Sequence, residues 1–143
     1  MNTEQIILTA TACVALAGAA IAHGPEHAAD GKGEIVTPNF SRAIPNIPGK
    51  SLVAVEVVYP PGGKSPPHRH AKSAFIYGYV VSGSIRSQLE GQPAQVYKAG
   101  QSFYEDPGAH HVAGENTSDT EPAKLLAVFV VDTNDKELTT PDK

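Results

Sequence analysis

Pro60-Pro61-Gly62-Gly63-Lys64-Ser65-Pro66-Pro67-His68-Arg69-His70 is the stretch on which the reading of this chain turns. Its first four residues stop the β-branched run Leu52-Val53-Ala54-Val55-Glu56-Val57-Val58-Tyr59, which reads as a strand. A second proline pair leads into His68-Arg69-His70, just ahead of the apolar, aromatic run over residues 74–82. In extended chain residues i and i+2 share a face, so His68 and His70 point the same way. Two imidazoles on one face are suited to bind a divalent ion as neutral ligands. A solvated His-Arg-His surface loop accounts for the same residues, and the pair alone does not choose between the two.

Outward from this stretch the pattern repeats. Residues 85–89 follow Gly83 at once, and Glu90-Gly91-Gln92-Pro93 turns the chain toward residues 94–97. Residues 101–105 are short and aromatic and are turned by Pro107-Gly108, residues 111–113 form another short strand, and residues 123–131 are the last and most apolar. No window from Ser51 to Val131 carries a sustained helical period, and 13 Gly and 12 Pro stand against one Met and no Trp. Short strands with regular turn signals predict an all-β sandwich or barrel over residues 51–131, in a single domain. Residues 23–50 read as an irregular leader with one short strand at 34–37, and residues 132–143 as a loose polar tail.

The beginning of the chain reads differently. Ile6 to Ala22 is uncharged, apolar or small, and ends Ala20-Ile21-Ala22, an A-x-A pattern. An export signal and a retained membrane anchor both fit such a run. Its length below about 20 residues and the absence of a basic flank favour the signal, cleaved after Ala22. Against it, residues 1–5 contain Glu4 and no Lys or Arg. Cys13 is the only cysteine and lies within this segment, without the large aliphatic neighbour usual at a lipid attachment point. The mature chain therefore has neither a disulfide nor a thiolate ligand, and would be periplasmic or secreted, with no stable membrane association. Its formal charge moves from −4 to −3 on losing Glu4, too mild and too acidic for nucleic acid as a partner.

His110 and His111 follow the Pro107-Gly108 turn and precede a strand, so they too sit at a rim or strand start. Neighbours on a strand face opposite ways, so one of the two joins a common site with His68 and His70. A third imidazole completes the minimum for an ion that keeps open positions. In these residues the chain resembles the cupin family. Gly62, five residues, His68-Arg69-His70 and then Gly83 match its first motif; Gly100, Pro107-Gly108, His111 and Asn116 approximate its second, with proline and asparagine displaced by one. The resemblance implies a double-stranded β-helix, or jelly-roll barrel, from about Ser51 to Val131. It also implies metal ligation by His68, His70 and His111, and a homodimer.

One family ligand is missing. The first motif carries a glutamate on the strand after the histidine pair, but the counts place that slot at Ile76, Ala74 or Phe75, none of them acidic. Three neutral imidazoles leave the ion's charge uncompensated. Candidates to stand in are Glu105, just before the Pro-Gly turn; Glu56, in the strand before Gly62; and His110, beside the proposed ligand. A surface or rim position explains each equally simply. Of these, Glu105 and His110 are the residues that offer catalytic acid or base chemistry. Phe75, Tyr77, Tyr79 and Val81 share one strand face and Ile76, Gly78, Val80 and Ser82 the other; with Phe103 and Tyr104, they either line a ligand pocket or pack the barrel. His23, the new amino terminus after cleavage, pairs an amine with an imidazole that can chelate copper.

These features predict an exported protein holding one divalent metal ion, with iron preferred and manganese, nickel, copper or zinc as alternatives. The resemblance covers dioxygenases, isomerases and lyases, among which fold does not choose. Three neutral histidines suit an oxygen-activating iron, so the expected activity is a mononuclear-metal oxygenase acting on a small molecule. The alternative is a binding or sensing protein with the same barrel and no turnover, and a third reading is an interaction module with a vestigial site.

Overall fold

The computed structural model describes residues 33–143, so the proposed signal, Cys13 and His23 lie outside the described residues. The described chain is built of strands: β1 (Ile35–Ala43), β2 (Lys50–Tyr59), β3 (Lys64–Ser65), β4 (His68–His70), β5 (Phe75–Ser82), β6 (Ser84–Leu89), β7 (Gln95–Lys98), β8 (Ser102–Glu105), β9 (His110–Asn116), β10 (Ala123–Asp132) and β11 (Thr139–Pro141). They form two antiparallel sheets. One has the order β1-β2-β10-β5-β8; the other has the order β11-β4-β9-β6-β7, with β3 also pairing with β9. This is the all-β architecture that the strand pattern anticipates, closed as the jelly-roll barrel that the family resemblance implies.

The core lies between the sheets and follows from alternation. Along β10, Ala123, Leu125, Ala127, Phe129 and Val131 are buried while their neighbours are half-buried, and β5 likewise buries Ile76 and Val80. Ile76, Val80, Ile85 and Val131 are the largest fully buried side chains. Each contributes roughly 1.5–3 kcal/mol relative to an exposed position. The chain crosses from one sheet to the other at Gly83, whose φ of 72° places it in the left-handed region. A Cβ there would stand 2.8 Å from Cβ of Ala123 as well, so both the backbone and the packing call for glycine.

Two segments are more ordered than their composition suggests. The strand expected at residues 34–37 runs on to Ala43, pairing with β2 from Ile35↔Val58 to Ala43↔Ser51 with a bulge between Pro38 and Phe40. Proline, lacking an N–H, is tolerated because β1 is an edge strand. In the tail, Thr139–Pro141 pairs with His68–His70, and Leu138 packs against the core. That pairing places the C-terminal segment directly beside the strand that carries the histidine pair.

Candidate metal centre

Strand alternation and register assemble the three histidines. His68 and His70 point inward from β4 while Arg69 points away. The neighbouring β9 is set so that His68 pairs with His111 and Arg69 with His110. Paired residues in an antiparallel ladder share a face, so His111 joins His68 and His70, and His110 joins Arg69. The ring centroids of His68 lie 4.8 Å from those of His70 and 5.1 Å from those of His111, and His70 and His111 are 6.1 Å apart. One ring nitrogen from each residue falls within 4.8 Å of the other two. His70 and His111 are buried and His68 is half-buried.

The opposite sheet supplies a carboxylate. Glu105, the last residue of β8, is 3% exposed. Its Oε2 stands 3.0 Å from His70 Nε2, and its Oε1 3.7 Å from His111 Nδ1. Neither ring nitrogen of His70, nor Glu105 Oε2, has a hydrogen-bond partner, although all three are buried. Buried polar atoms are almost always satisfied, so two such atoms side by side, His70 Nε2 and Glu105 Oε2, mark a place fitted for a cation. The donor set, imidazole nitrogens with a carboxylate oxygen, suits a divalent first-row metal.

The electrostatics agree with ligand chemistry. Burial drives the His111 imidazole down to about 4, with His68 and His70 adding to the effect and Glu105 opposing it. Burial works to raise Glu105, but its contact with His70 and the potential of the three imidazoles prevail and hold it below the ordinary carboxylate value. At neutral pH His111 is therefore a free base and Glu105 an anion, the protonation states in which both bind metals. Ser87 Oγ lies 2.9 Å from His111 Nε2 and fixes the orientation of that ring. Phe129 packs edge-on to His70 with centroids 5.8 Å apart, forming the apolar wall behind it. A cavity of about 300 Å³ opens beside Glu105, and its lining includes Ser87, Gln92, Gln95, Tyr97 and Phe103.

The remaining candidates lie elsewhere. His110 faces away from the centre: its Nε2 is 2.8 Å from Asp142 Oδ2 and its Nδ1 3.1 Å from an Arg69 guanidinium nitrogen. Glu56 is on the outer face of the sheet, 3.0 Å from Lys124 Nζ. Phe75, Tyr77, Tyr79 and Val81 are exposed on that outer face, while Phe103 turns inward to the cavity. Asn116 is structural: its Nδ2 donates to the backbone oxygens of Pro60 and Glu121, tying the turn after β2 to the loop after β9. Ser87 has no distinguishing sequence signal, being one of several small polar residues in β6.

Comparison with known proteins agrees with this architecture. Residues 55–129 match the profile of the cupin domain. No curated protein matches the chain. Among solved structures, an uncharacterised conserved protein with a double-stranded β-helix domain from Klebsiella pneumoniae is similar with a TM-score of 0.62 and 18% identity. That match covers 82% of this chain and 90% of the other. The Cnp3 cupin domain of Schizosaccharomyces pombe is similar with a TM-score of 0.57 and 18% identity, over 70% of this chain and 62% of that one. Oxalate oxidase, solved with the substrate analogue glycolate, is similar with a TM-score of 0.55 and 25% identity, over 70% of this chain. The present chain spans only 52% of that oxidase.

Proposed function

The chain belongs to the cupin family, and on that premise we propose that it holds one divalent metal ion on His68, His70 and His111 and acts as a mononuclear-metal oxygenase on a small molecule. The observation that carries this reading is the convergence of three imidazoles within 4.8 Å of one another on the inner face of the barrel. Iron is the preferred metal; manganese, nickel, copper and zinc suit the same donors. When bound, the metal supplies a Lewis-acid centre with positions open to dioxygen or substrate. The likeness to an oxidase supports an oxygen-handling role. Around the ion the chain's own residues divide the work: Ser87 sets the His111 ring, Phe129 excludes water behind His70, and the cavity beside Glu105 admits the ligand.

A second reading, binding without turnover, is favoured by one observation. Apart from the Tyr59 hydroxyl, which is bonded to Ser65, the buried acids and bases among the described residues are His70, His111 and Glu105, so none is left over as a separate catalytic group. The two readings separate in one set of measurements on protein purified without a histidine tag. Near-stoichiometric metal, lost in both His68→Ala and His111→Ala, supports the site. Oxygen uptake with a member of a phenolic, thiol or sugar-derived panel then supports the oxygenase, and metal without uptake supports the binder. An untagged protein free of metal, which takes none up on dialysis, contradicts both.

Export completes the reading: cleavage after Ala22 delivers a periplasmic or secreted domain, which amino-terminal sequencing of the secreted or periplasmic protein checks. The assembly we favour is a homodimer through the outer face of the five-stranded sheet. Register places Phe40, Ala54, Val128, Tyr77 and Tyr104 in one row across all five strands. Phe40, Phe75, Tyr77, Tyr79 and Tyr104 on this face are 37% to 64% exposed. At roughly 200 Å² per aromatic side chain they present on the order of 500 Å², before the flanking valines and leucines are counted. A stable dimer covers about 800 Å² per partner. The charged pair Glu56 and Lys124 neutralises itself within the face, so two copies meet without repulsion.

A further inference from the structure

We infer that Glu105 is a fourth protein ligand of the ion, a carboxylate delivered from the sheet opposite the histidines; the inference rests on the metal-site reading above. Glu105 lies in an apolar row of the inner face, with Ile76 directly across from it on β5 and Phe129 beyond on β10. Ile76 and Phe129 are 2% and 3% exposed, so the carboxylate sits in surroundings that penalise an unpaired anion. Among the described residues its ionic contacts are imidazoles only, and no Lys or Arg reaches it.

The contact with His70 has the length of a hydrogen bond without its alignment. His70 Nε2 and Glu105 Oε2 stand 3.0 Å apart, yet neither is hydrogen-bonded. Two lone-pair atoms side by side at this separation are what a shared cation produces: bonds of about 2.0–2.2 Å at a right angle put neighbouring donors about 3 Å apart. The position also explains the acid missing from the first motif. Ile76, one of the slots where that acid is expected, is the cross-strand partner of Glu105, so the carboxylate has moved one strand sideways while facing the same space. An anionic oxygen added to three neutral nitrogens halves the charge left on a divalent ion. It also shifts preference toward metals that accept oxygen, manganese and iron over copper. The ion then joins the two sheets, three ligands from one and one from the other.

The test uses the untagged full-length protein with Mn(II) as probe. Electron-nuclear double resonance on Mn(II)-loaded protein carrying carbon-13-labelled glutamate should show a carboxylate carbon coupled to the metal, and the coupling should vanish in Glu105→Gln. Its absence in the wild-type protein overturns the proposal without requiring any variant to fold. In parallel, Mn(II) affinity should fall on the order of 100-fold or more in Glu105→Gln, beyond what a residue that merely orients a ligand costs. If His70→Ala abolishes binding while Glu105→Gln binds within threefold of wild type, the histidine site stands and the carboxylate ligand falls. A wild-type chain that takes up none of Mn(II), Co(II) or Zn(II) overturns both readings.

Discussion

Gly78→Ala tests the packing that shapes the barrel interior beside the site. Gly78 points inward at the middle of β5, between Ala127 of β10 and Phe103 of β8. A methyl group at this position would stand 2.6, 2.8 and 2.9 Å from Cζ, Cε2 and Cε1 of Phe103, so the ring lies flat on the glycine. Carbon atoms in contact prefer about 3.5–4.0 Å, and the ring would have to withdraw by about 1 Å. Tyr97 blocks its retreat, with ring centroids 4.7 Å apart. Overpacking of this kind costs about 1–3 kcal/mol, and the entropy gained by replacing glycine returns about 0.5–1 kcal/mol. The net loss is then about 1–2 kcal/mol, or a fall in Tm of about 4–8 °C for a domain of this size. Thermal unfolding followed by circular dichroism measures it, with Phe103→Leu as the partner variant. In the Phe103→Leu background, where the outer ring carbons are gone, Gly78→Ala should cost under about 0.5 kcal/mol. A Gly78→Ala protein as stable as wild type, or one whose loss is unchanged by Phe103→Leu, refutes the reasoning.

Further predictions concern the hydrogen-bonded core, pH and assembly. Asn116→Ala strips donors from the Pro60 and Glu121 carbonyls and should lower stability by about 1–3 kcal/mol in a urea titration. Tyr59 is buried and bonded to Ser65, and burial, followed by the nearby Glu34, pushes its hydroxyl well above the ordinary tyrosine value. The folded state then keeps a proton that the unfolded chain releases above pH ~10, so stability falls as pH rises beyond that point. The slope approaches about 1.4 kcal/mol per pH unit and should be shallower in Tyr59→Phe. If the two proteins share one alkaline profile, that assignment is wrong. Tyr77→Lys, in the centre of the outer row, should convert a dimer to a monomer in sedimentation velocity while leaving the circular dichroism spectrum unchanged. A wild-type monomer contradicts the proposed interface.

How much was legible in the sequence depended on whether side chains or pairings carried the signal. β2, β5 and β10 announced themselves because each buries one face, which writes alternation into the residues. β1 did not, because it is exposed along nearly its whole length and owes its order to backbone pairing with β2. The short β11 is equally silent, since polar residues make its ladder with β4. At the site, the i, i+2 rule put His68 and His70 together, and the opposite facing of His110 and His111 required that only one join them. The β4–β9 register decided for His111. Glu105 was nameable as a candidate but not placeable, because its approach to His70 depends on how β8 pairs with β5 and on how the two sheets close over each other. Ser87 reaches His111 through the pairing of β6 with β9 inside one sheet, a register that no spacing in the sequence marks.

The central claim, three imidazoles on one cation inside a closed barrel, is tested most directly by anomalous scattering from crystals of the untagged protein grown with Zn(II) and measured at the zinc edge. The account predicts one strong peak on the inner face of the barrel, about 2.0–2.1 Å from one ring nitrogen each of His68, His70 and His111. A barrel that binds zinc only at its surface, or one in which the His111 ring turns away from the other two, contradicts it.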